Sequence, residues 1–438
     1  MLKRKIATYI ENYLKSNSNK ILLVDGARQI GKTFIINEVG NRLFENYIEI
    51  NFAEDSITNH LFENIGTVED FYLQISALYG EKMKDRQSTL IFIDEIQTYP
   101  NFLTLLKFLV KDNKYTYIAS GSLLGVALSQ TNSIPIGSIE ILRMYPLDFE
   151  EWLYANGVSG DVISKMKDCF IKRESLSEPL HNRLIDLFKK YLIVGGMPDA
   201  INTYLETKNI WQVRNIQENI HNYYAIDASK YDNNRKLKIR RIYDMIPSNL
   251  ENKKKRVVIK NIEDKKGKRY SDYEEEFEYL ISSGIALEVK AVSNPNFPLI
   301  ETSSKNLLKL YLNDIGILTN ILYKNNIKAI MESENSINLG TVYENVVAQE
   351  LMAHNHNLFY YDNKSKGEVD FLVDDYDNLC VCPIEIKSGK DYKIHSAIDT
   401  FLDNKNYHVK YGYVFSNQRE IEIENKIIYM PIYNIMFI

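Results

Sequence analysis

Gly26-Ala27-Arg28-Gln29-Ile30-Gly31-Lys32-Thr33 decides the fold, because this stretch matches the P-loop pattern G-x-x-x-x-G-K-[ST] at every fixed position. The apolar run 21–24 before it predicts a buried strand, and residues 33–39 after it predict a helix. Glycines let such a turn aim its backbone N–H groups at phosphate oxygens, while Lys32 reaches the β- and γ-phosphates and the Thr33 hydroxyl holds Mg²⁺. The predicted residues of this nucleoside triphosphate site are Gly26, Ala27, Arg28, Gln29, Ile30, Gly31, Lys32, Thr33 and Phe34.

Composition sets broader limits on the chain. Its 438 residues suffice for about two to four domains, and 45% hydrophobic with 25% charged residues is ordinary for globular protein. The formal net charge of -5 gives no global basic field, so any contact with nucleic acid requires local patches. Cys169, Cys380 and Cys382 form no metal or disulfide framework, and no apolar run of 18 residues occurs. We therefore expect a cytoplasmic protein without a membrane span.

A second motif supplies two adjacent carboxylates. The apolar run 90–93 predicts a buried strand that ends in Asp94 and Glu95. Ligands bind at the carboxyl ends of strands in a parallel α/β sheet, so Asp94 is the predicted partner of Mg²⁺. Glu95 is the candidate base for the attacking water. The alternative is an acidic helix cap with no catalytic role.

A third predicted strand, residues 115–119, runs into Ser120-Gly121-Ser122. A small polar group at this edge could sense the γ-phosphate. Ser122 is the first candidate and Ser120 the second. The alternative is a turn serine that caps the next helix.

After residue 150 the pattern becomes helical, with mixed-charge segments at 161–175 and 179–193. The pair Gly195-Gly196 then ends one helix, and Pro198 begins the next. The alternative to a functional element is a plain turn between two helices. Residues 236–300 predict three helices and a hairpin with arms at 285–292 and 298–300, an order that resembles a winged helix.

The third of these helices argues against DNA reading, because its carboxylates would repel phosphate. They are Asp272, Glu274, Glu275, Glu276 and Glu278. The basic run 253–256 lies elsewhere and is compatible with a solvated loop. A spacer or protein-docking role is therefore favoured over DNA binding.

The last third contains a second acidic constellation. Glu344 shares a helix face with Val347 and Leu351, so its inward carboxylate requires a partner such as a metal or a lysine. The turn signal at 374–378 predicts a hairpin that places Asp370 opposite Glu385. The strand period of two then puts Glu385 and Lys387 on one face.

Two carboxylates beside a lysine suit a divalent cation and an activated water that attacks a phosphodiester. The predicted metal ligands at this second site are Glu344, Asp370 and Glu385, and its predicted catalytic residues are Asp370, Glu385 and Lys387. The alternative is a degenerate site whose charges form a structural salt-bridge cluster.

Residues 26–33, 93–97, 120–122 and 145–151 resemble motifs of the AAA-type ATPases of bacteria and archaea that carry a C-terminal restriction-nuclease-like domain. The resemblance implies ATP and Mg²⁺ as ligands, and it implies that the element ending in Pro198 packs against the nucleotide base. Many relatives carry Gly-Arg where this chain has Gly137-Ser138, and the nearest arginine is Arg143, so no arginine finger is assigned.

Glu344, Asp370, Glu385 and Lys387 match the motif of PD-(D/E)XK nucleases, and Glu368 also fits the family pattern. This resemblance implies a second Mg²⁺ or Mn²⁺ and a DNA or RNA substrate.

The predicted fold class is α/β: an AAA-type P-loop sheet, a helical lid, a winged-helix-like segment and a restriction-endonuclease-like domain. The predicted bounds of these four parts are 1–150, 151–234, 235–302 and 303–438. The leading functional hypothesis is an ATPase whose ATP-bound state controls the nuclease-like domain. The alternatives are a non-cleaving ATP-dependent switch and a winged-helix regulator, and the sequence leaves monomer, dimer and ring equally open.

Overall fold

The computed structural model describes residues 2–124, 137–228, 236–263, 267–333, 337–363, 367–389 and 391–438. The chain divides into two compact units. The smaller unit comprises Lys3–Tyr145 together with Ser282–Gly284, and the larger unit contains Pro146–Ile281 and Ile285–Ile438. None of the helices in these described ranges is long and apolar enough to cross a bilayer.

The smaller unit is built on a parallel sheet of five strands in the order β2-β3-β4-β1-β5. The strands are β1 (Ile21–Asp25), β2 (Asn46–Asn51), β3 (Thr89–Asp94), β4 (Thr116–Gly121) and β5 (Ile139–Arg143). The helices described in this unit are α1 (Lys5–Lys15), α2 (Lys32–Leu43), α3 (Phe52–Asp55), α4 (Val68–Tyr79) and α5 (Pro100–Asp112). All residues of β1 and β3 are buried, as expected for apolar strands covered on both faces.

The predicted strands at 21–24, 90–93 and 115–119 and the predicted helix at 33–39 are confirmed as β1, β3, β4 and α2. The order of the sheet decides what meets at its edge. Strand β4 lies between β1 and β3, so the end of β4 separates the loop after β1 from the residue that ends β3.

The larger unit begins with helices and continues with a mixed sheet. Its helices are α6 (Phe149–Ala155), α7 (Gly160–Lys172), α8 (Glu178–Val194), α9 (Pro198–Thr207), α10 (Ile210–Ala228), α11 (Lys236–Glu251), α12 (Glu274–Ser282), α13 (Ile315–Tyr323), α14 (Ile327–Met331), α15 (Leu339–Ala353) and α16 (Ser396–Leu402). The mixed-charge segments at 161–175 and 179–193 are thus helical, as predicted.

The mixed sheet has eight strands in the order β12-β13-β11-β10-β9-β8-β6-β7. They are β6 (Ala286–Val292), β7 (Ser303–Leu312), β8 (Phe359–Asn363), β9 (Gly367–Asp375), β10 (Cys380–Ile386), β11 (Gly412–Ser416), β12 (Glu422–Glu424) and β13 (Ile427–Pro431). Helix α16 packs Ile398 and Phe401 against this sheet, in an apolar core that includes Val369 of β9 and Val414 of β11.

The predicted hairpin of the winged-helix-like segment is wrong in its second arm. Residues 298–300 are not a strand; Leu299–Thr302 is a 3₁₀ turn, and β6 pairs instead with β7. Pro295 and Pro298 lack the N–H that a ladder needs, which delays the second strand. The hairpin also belongs to the eight-stranded sheet, because β6 pairs with β8.

The helices expected before that hairpin differ as well. Between α11 and α12 the described residues form the two 3₁₀ turns Ile259–Asn261 and Tyr270–Asp272 in place of a middle helix. The winged-helix assignment is therefore not confirmed. The four predicted domain bounds remain predictions.

Candidate functional site

The loop between β1 and α2 has the backbone that a phosphate cradle requires. Gly26 has φ 151° and Gly31 has φ 93°, both in the region that side chains rarely adopt. A Cβ atom at Gly26 would also overlap the carbonyl oxygen of Met144. Gly31 is the N-cap of α2, so the loop and the helix N-terminus together present a row of N–H groups suited to an anion.

Lys32 lies inside this loop. Its side chain is buried, and Nζ donates hydrogen bonds of 2.8 Å to the carbonyl oxygens of Gly26 and Ala27. Burial lowers the pKa of Lys32, while the negative charges of Glu95 and Asp25 raise it. The positive charge is therefore held within the loop by backbone carbonyls rather than by a salt bridge.

Asp94 connects the two sequence motifs. Thr33 Oγ1 donates a hydrogen bond of 2.8 Å to Asp94 Oδ2, and the backbone N–H of Glu95 donates one of 3.0 Å to Asp94 Oδ1. Ser120, at the end of the intervening strand β4, donates to the same Oδ1. The carboxylate is buried and fixed, and the Thr33 and Ser120 hydroxyls beside it add oxygen atoms of the kind that suits a hard cation.

Ser120 and Ser122 therefore occupy different places. Ser120 contacts Asp94, whereas Ser122 Oγ lies 3.4 Å from Nε2 of Gln97. Gln97 Nε2 also donates to the Glu95 carboxylate. Glu95 has φ 53°, which turns the chain sharply at the end of β3. The candidate base and the candidate sensor Ser122 thus share one amide, Gln97, to which the sequence analysis gave no role.

Other predicted residues are placed apart from this cluster. Phe34 follows Thr33 with its ring 61% exposed. Arg28 is exposed. Arg143, the arginine nearest to the position where many relatives carry Gly-Arg, forms an ion pair with Asp25, which directly precedes Gly26.

Pro198 is the first residue of α9 in the larger unit, and its contact with a nucleotide base stays a prediction.

The glycine pair before Pro198 is more than a plain turn. The N–H of Gly196 donates a hydrogen bond of 2.6 Å to Oδ2 of the buried Asp314. Arg214 and Gln217, both buried, donate to the carbonyl of Ile193 at 3.0 and 2.9 Å. Burial raises the pKa of Asp314 to about 6, against the stabilising N–H bonds and the nearby guanidinium of Arg214. A buried polar network thus fixes this turn.

In the sheet of the larger unit, the register of β9 and β10 follows the prediction. Ile384 pairs with Phe371, which makes Glu385 the neighbour of Asp370 across the two strands. Asp370 Oδ2 accepts a hydrogen bond of 2.8 Å from the N–H of Ile386. Lys387 Nζ lies 2.9 Å from Glu385 Oε1, so these two side chains share a face.

Glu344, the third predicted ligand, is already bound by two other groups. Lys255 forms an ion pair with its Oε1, and Tyr311 Oη donates a hydrogen bond of 2.9 Å to its Oε2. Lys255 belongs to the basic run that was compatible with a solvated loop. Lys253 and Lys254 are exposed, but the Lys255 side chain is only 17% exposed. The sequence signal that could have identified this pairing was the inward carboxylate, which required a cation.

Glu368 is neutralised in the same way. Lys309, with no exposed side-chain surface, lies 2.6 Å from Glu368 Oε1. Arg256 lies 3.6 Å from Glu368 Oε2 and 2.6 Å from Asp362. Each of these carboxylates therefore has an internal cation.

Asp370 and Glu385 differ from Glu344 and Glu368 in their electrostatics. Burial raises the pKa of Asp370 well above its usual range, and the neighbouring Glu385 and Glu344 raise it further. Burial also raises the pKa of Glu385, against the charge of Lys387. Glu385 Oε2 is buried and accepts no hydrogen bond from the described residues. These two carboxylates fit a cation, or a shared proton, between them.

Within the described ranges, no group of three or more His, Cys, Asp or Glu side chains is arranged to hold a metal ion. Asp370 and Glu385 come together, but Glu344 is held by Lys255 and Tyr311. The set Glu344, Asp370 and Glu385 therefore stays a predicted metal site.

Three family models match the chain. Residues 18–153 match a family described as an AAA domain. Residues 185–328 and 339–435 match two domains of unknown function, DUF8612 and DUF4143. The first match agrees with the parallel sheet and the loop geometry, and it supports a P-loop domain of the AAA type over residues 18–153.

Two relatives also match the chain, one over most of its length and the other over less than half. An uncharacterized protein of Methanocaldococcus jannaschii is 23% identical over 408 residues, which is 90% of this chain and 82% of that protein. An uncharacterized protein of Haemophilus influenzae is 23% identical over 204 residues, 44% of each chain.

Two solved structures are also similar. A Walker-type ATPase of Pyrococcus abyssi has a TM-score of 0.43 at 12% identity and covers 73% of this chain and 95% of its own. PCH-2 of C. elegans has a TM-score of 0.26 at 11% identity and covers 41% and 51%.

Proposed function

We propose that this chain is a Mg²⁺-dependent ATPase of the AAA type whose nucleotide state controls a C-terminal nuclease-like domain that cleaves or binds nucleic acid. The observation that carries the ATPase part is the 2.8 Å hydrogen bond from Thr33 Oγ1 to Asp94 Oδ2. Two residues 61 positions apart are joined at the carboxyl edge of the sheet, where a nucleotide binds in this type of fold.

The residues around Asp94 support a Mg²⁺ site. The Thr33 hydroxyl and the Asp94 carboxylate would hold the ion, which when bound neutralises charge on the β- and γ-phosphates. Lys32 binds the same phosphates, and the glycine-rich backbone orients them. The contact of Ser120 with Asp94 keeps the carboxylate aimed at this position.

Glu95 is the residue we assign to activation of water. Its carboxylate follows Asp94 directly, and Gln97 holds it from one side. Gln97 also lies 3.4 Å from Ser122. A change at the γ-phosphate that moves the Ser122 hydroxyl or the Gln97 amide would therefore also move the Glu95 carboxylate. We assign Ser122 to sensing the γ-phosphate on this basis.

Replacement of Glu95 by glutamine is expected to lower kcat about a hundredfold, while the dissociation constant for ATP stays within about twofold of the wild-type value. The glutamine keeps the size and the contact with Gln97 but cannot take a proton. Phosphate release with excess Mg²⁺, and calorimetric titration with ATP, measure the two quantities. Glu54→Gln, at an acidic residue in short helix α3, is the matched control. An unchanged kcat in Glu95→Gln contradicts the assignment.

For the C-terminal domain, one observation favours each of the two hypotheses. The pairing of Asp370 with Glu385, with Lys387 beside them, favours metal-assisted attack on a phosphodiester. The ion pairs of Lys255 with Glu344 and of Lys309 with Glu368 favour a non-cleaving, partner-binding site whose charges are balanced internally.

Titration with Mn²⁺ alone and a nicking assay separate these hypotheses. Removal of the Lys255 ammonium in Lys255→Met is expected to raise the affinity for Mn²⁺ about tenfold, because Glu344 then joins Asp370 and Glu385 as a free carboxylate. Lys254→Met, at the exposed neighbour, is the control and should bind Mn²⁺ as the wild type does. Equal affinities in both variants argue against a metal site that includes Glu344.

The nicking assay uses supercoiled DNA and single-stranded RNA with Mg²⁺ or Mn²⁺, with and without ATP. Cleavage that is lost in Asp370→Asn and altered by ATP supports the nuclease. ATP hydrolysis without cleavage of any substrate leaves the non-cleaving switch.

A further inference from the structure

Arg4, the fourth residue of the sequence, contacts the P-loop. Its Nη1 donates a hydrogen bond of 3.0 Å to the carbonyl oxygen of Ile30, and its Nη2 donates one of 2.7 Å to the carbonyl oxygen of Tyr145. Although the residue is an arginine in a basic segment, only 9% of its surface is exposed. Burial of a guanidinium is costly unless it is paired and hydrogen-bonded, and the two carbonyls supply hydrogen bonds to it.

The contact with Ile30 fixes the direction of a backbone amide in the loop. In a trans peptide, the carbonyl of one residue and the N–H of the next point in opposite directions. Because Arg4 holds the Ile30 carbonyl, it also fixes the N–H of Gly31, which lies on the opposite side of the same peptide. Gly31 has φ 93° and carries no side chain, so without this hold its peptide rotates at little cost.

The contact with Tyr145 attaches the loop to its support. Strand β5 ends just before Met144, whose N–H donates a hydrogen bond of 2.7 Å to the Asp25 carbonyl. The Met144 carbonyl packs directly against Gly26. Met144, directly after β5, therefore supports the beginning of the loop. The Arg4 guanidinium joins the end of the loop, at Ile30, to the next residue of that segment, Tyr145. A planar fork with several donors can join two carbonyls in this way, whereas an ammonium is a point donor.

We propose that Arg4 is a positioning residue for nucleotide binding: it sets the Ile30–Gly31 peptide in the orientation that binds phosphate. The inference rests on the proposed ATP binding at the P-loop. It predicts a particular kinetic signature. A backbone N–H that contacts phosphate does so in both the ground state and the transition state, so its loss raises KM and leaves kcat unchanged.

Arg4→Met is expected to raise KM and the dissociation constant for Mg²⁺–ATP about tenfold, the size of one charge-assisted hydrogen bond, with kcat within about twofold of the wild-type value. Arg4→Lys should fall between Arg4→Met and the wild type, because its ammonium keeps the charge and can donate to one of the two carbonyls but lacks the fork that joins both. Lys5→Met, at the exposed neighbour that opens α1, is the control and should behave as the wild type.

Steady-state phosphate release and calorimetric titration with Mg²⁺–ATP measure these constants, and thermal unfolding without nucleotide measures stability. A lower melting temperature in Arg4→Met with an unchanged KM would overturn the proposal, because it would show a role in folding alone. If Arg4→Met does not fold, Arg4→Lys decides: its KM must exceed that of Lys5→Met. A wild-type protein that binds no ATP would instead refute the proposed function, so the two failures are distinguishable.

Discussion

Lys32→Met is expected to lower kcat/KM for ATP hydrolysis about a thousandfold, the largest effect on activity that the structure predicts. The ammonium of Lys32 lies inside the loop, bound at 2.8 Å by the carbonyls of Gly26 and Ala27, so it is already positioned for phosphate. Methionine keeps the length and volume of the side chain but removes the charge. Binding and hydrolysis should therefore fall together.

Stability should respond much less than activity to this replacement. Burial lowers the pKa of Lys32, which means that the folded protein bears a cost for the buried charge. Methionine removes that cost and also removes two hydrogen bonds, so we expect the free energy of unfolding to change by less than about 2 kcal/mol.

Calorimetric titration with Mg²⁺–ATP, phosphate release and thermal unfolding test this prediction together. Lys20→Met, at an exposed lysine just before β1, is the matched control and should bind and hydrolyse ATP normally. If Lys32→Met binds ATP as tightly as the control, the assignment of the loop as a nucleotide site is wrong.

The parts of the molecule that could be predicted from sequence are those fixed by neighbours in the chain. The P-loop needs only a strand, two glycines and a helix within a short stretch. The pairing of Asp370 with Glu385 follows from the turn signal between their strands, because a turn sets the register of a hairpin. In both cases local chemistry determines which side chains meet.

The contacts that sequence reasoning missed join residues far apart in the chain. Arg4 and Ile30 are 26 positions apart, Lys255 and Glu344 are 89 apart, and Gly196 and Asp314 are 118 apart. Nothing in the local pattern around a basic residue shows whether it is solvated or paired with a distant acid. The wrong second arm at 298–300 has a different cause: its apolar residues predict a strand, but Pro298 and the nearby Pro295 lack the backbone N–H that a strand pairing needs.

The Gly195-Gly196 turn gives the largest expected effect on stability. Gly195 has φ 74°, and a Cβ atom there would overlap Asp314 Oδ1 and lie 2.8 Å from the backbone nitrogen of Gly316. Gly157 has a similar φ, 77°, and no atom of the described residues lies within 4 Å of the position its Cβ would take. The two glycines thus share the cost of a positive φ, but Gly195 also has ψ −166°, a combination that only glycine readily adopts, and it lies in a closely packed space.

Gly195→Ala is therefore expected to lower the free energy of unfolding by about 4 kcal/mol and Gly157→Ala by about 1 kcal/mol. The difference is the cost of placing a side chain at the ψ of Gly195 and of pushing Asp314 away from the Gly196 N–H within a closely packed polar network. Denaturant titration followed by tryptophan fluorescence suits the comparison, because both tryptophans, Trp152 and Trp211, belong to the larger unit. Equal losses in the two variants would mean that the positive φ is the whole cost, and that neither the ψ of Gly195 nor the contacts of Asp314 with the turn affect stability.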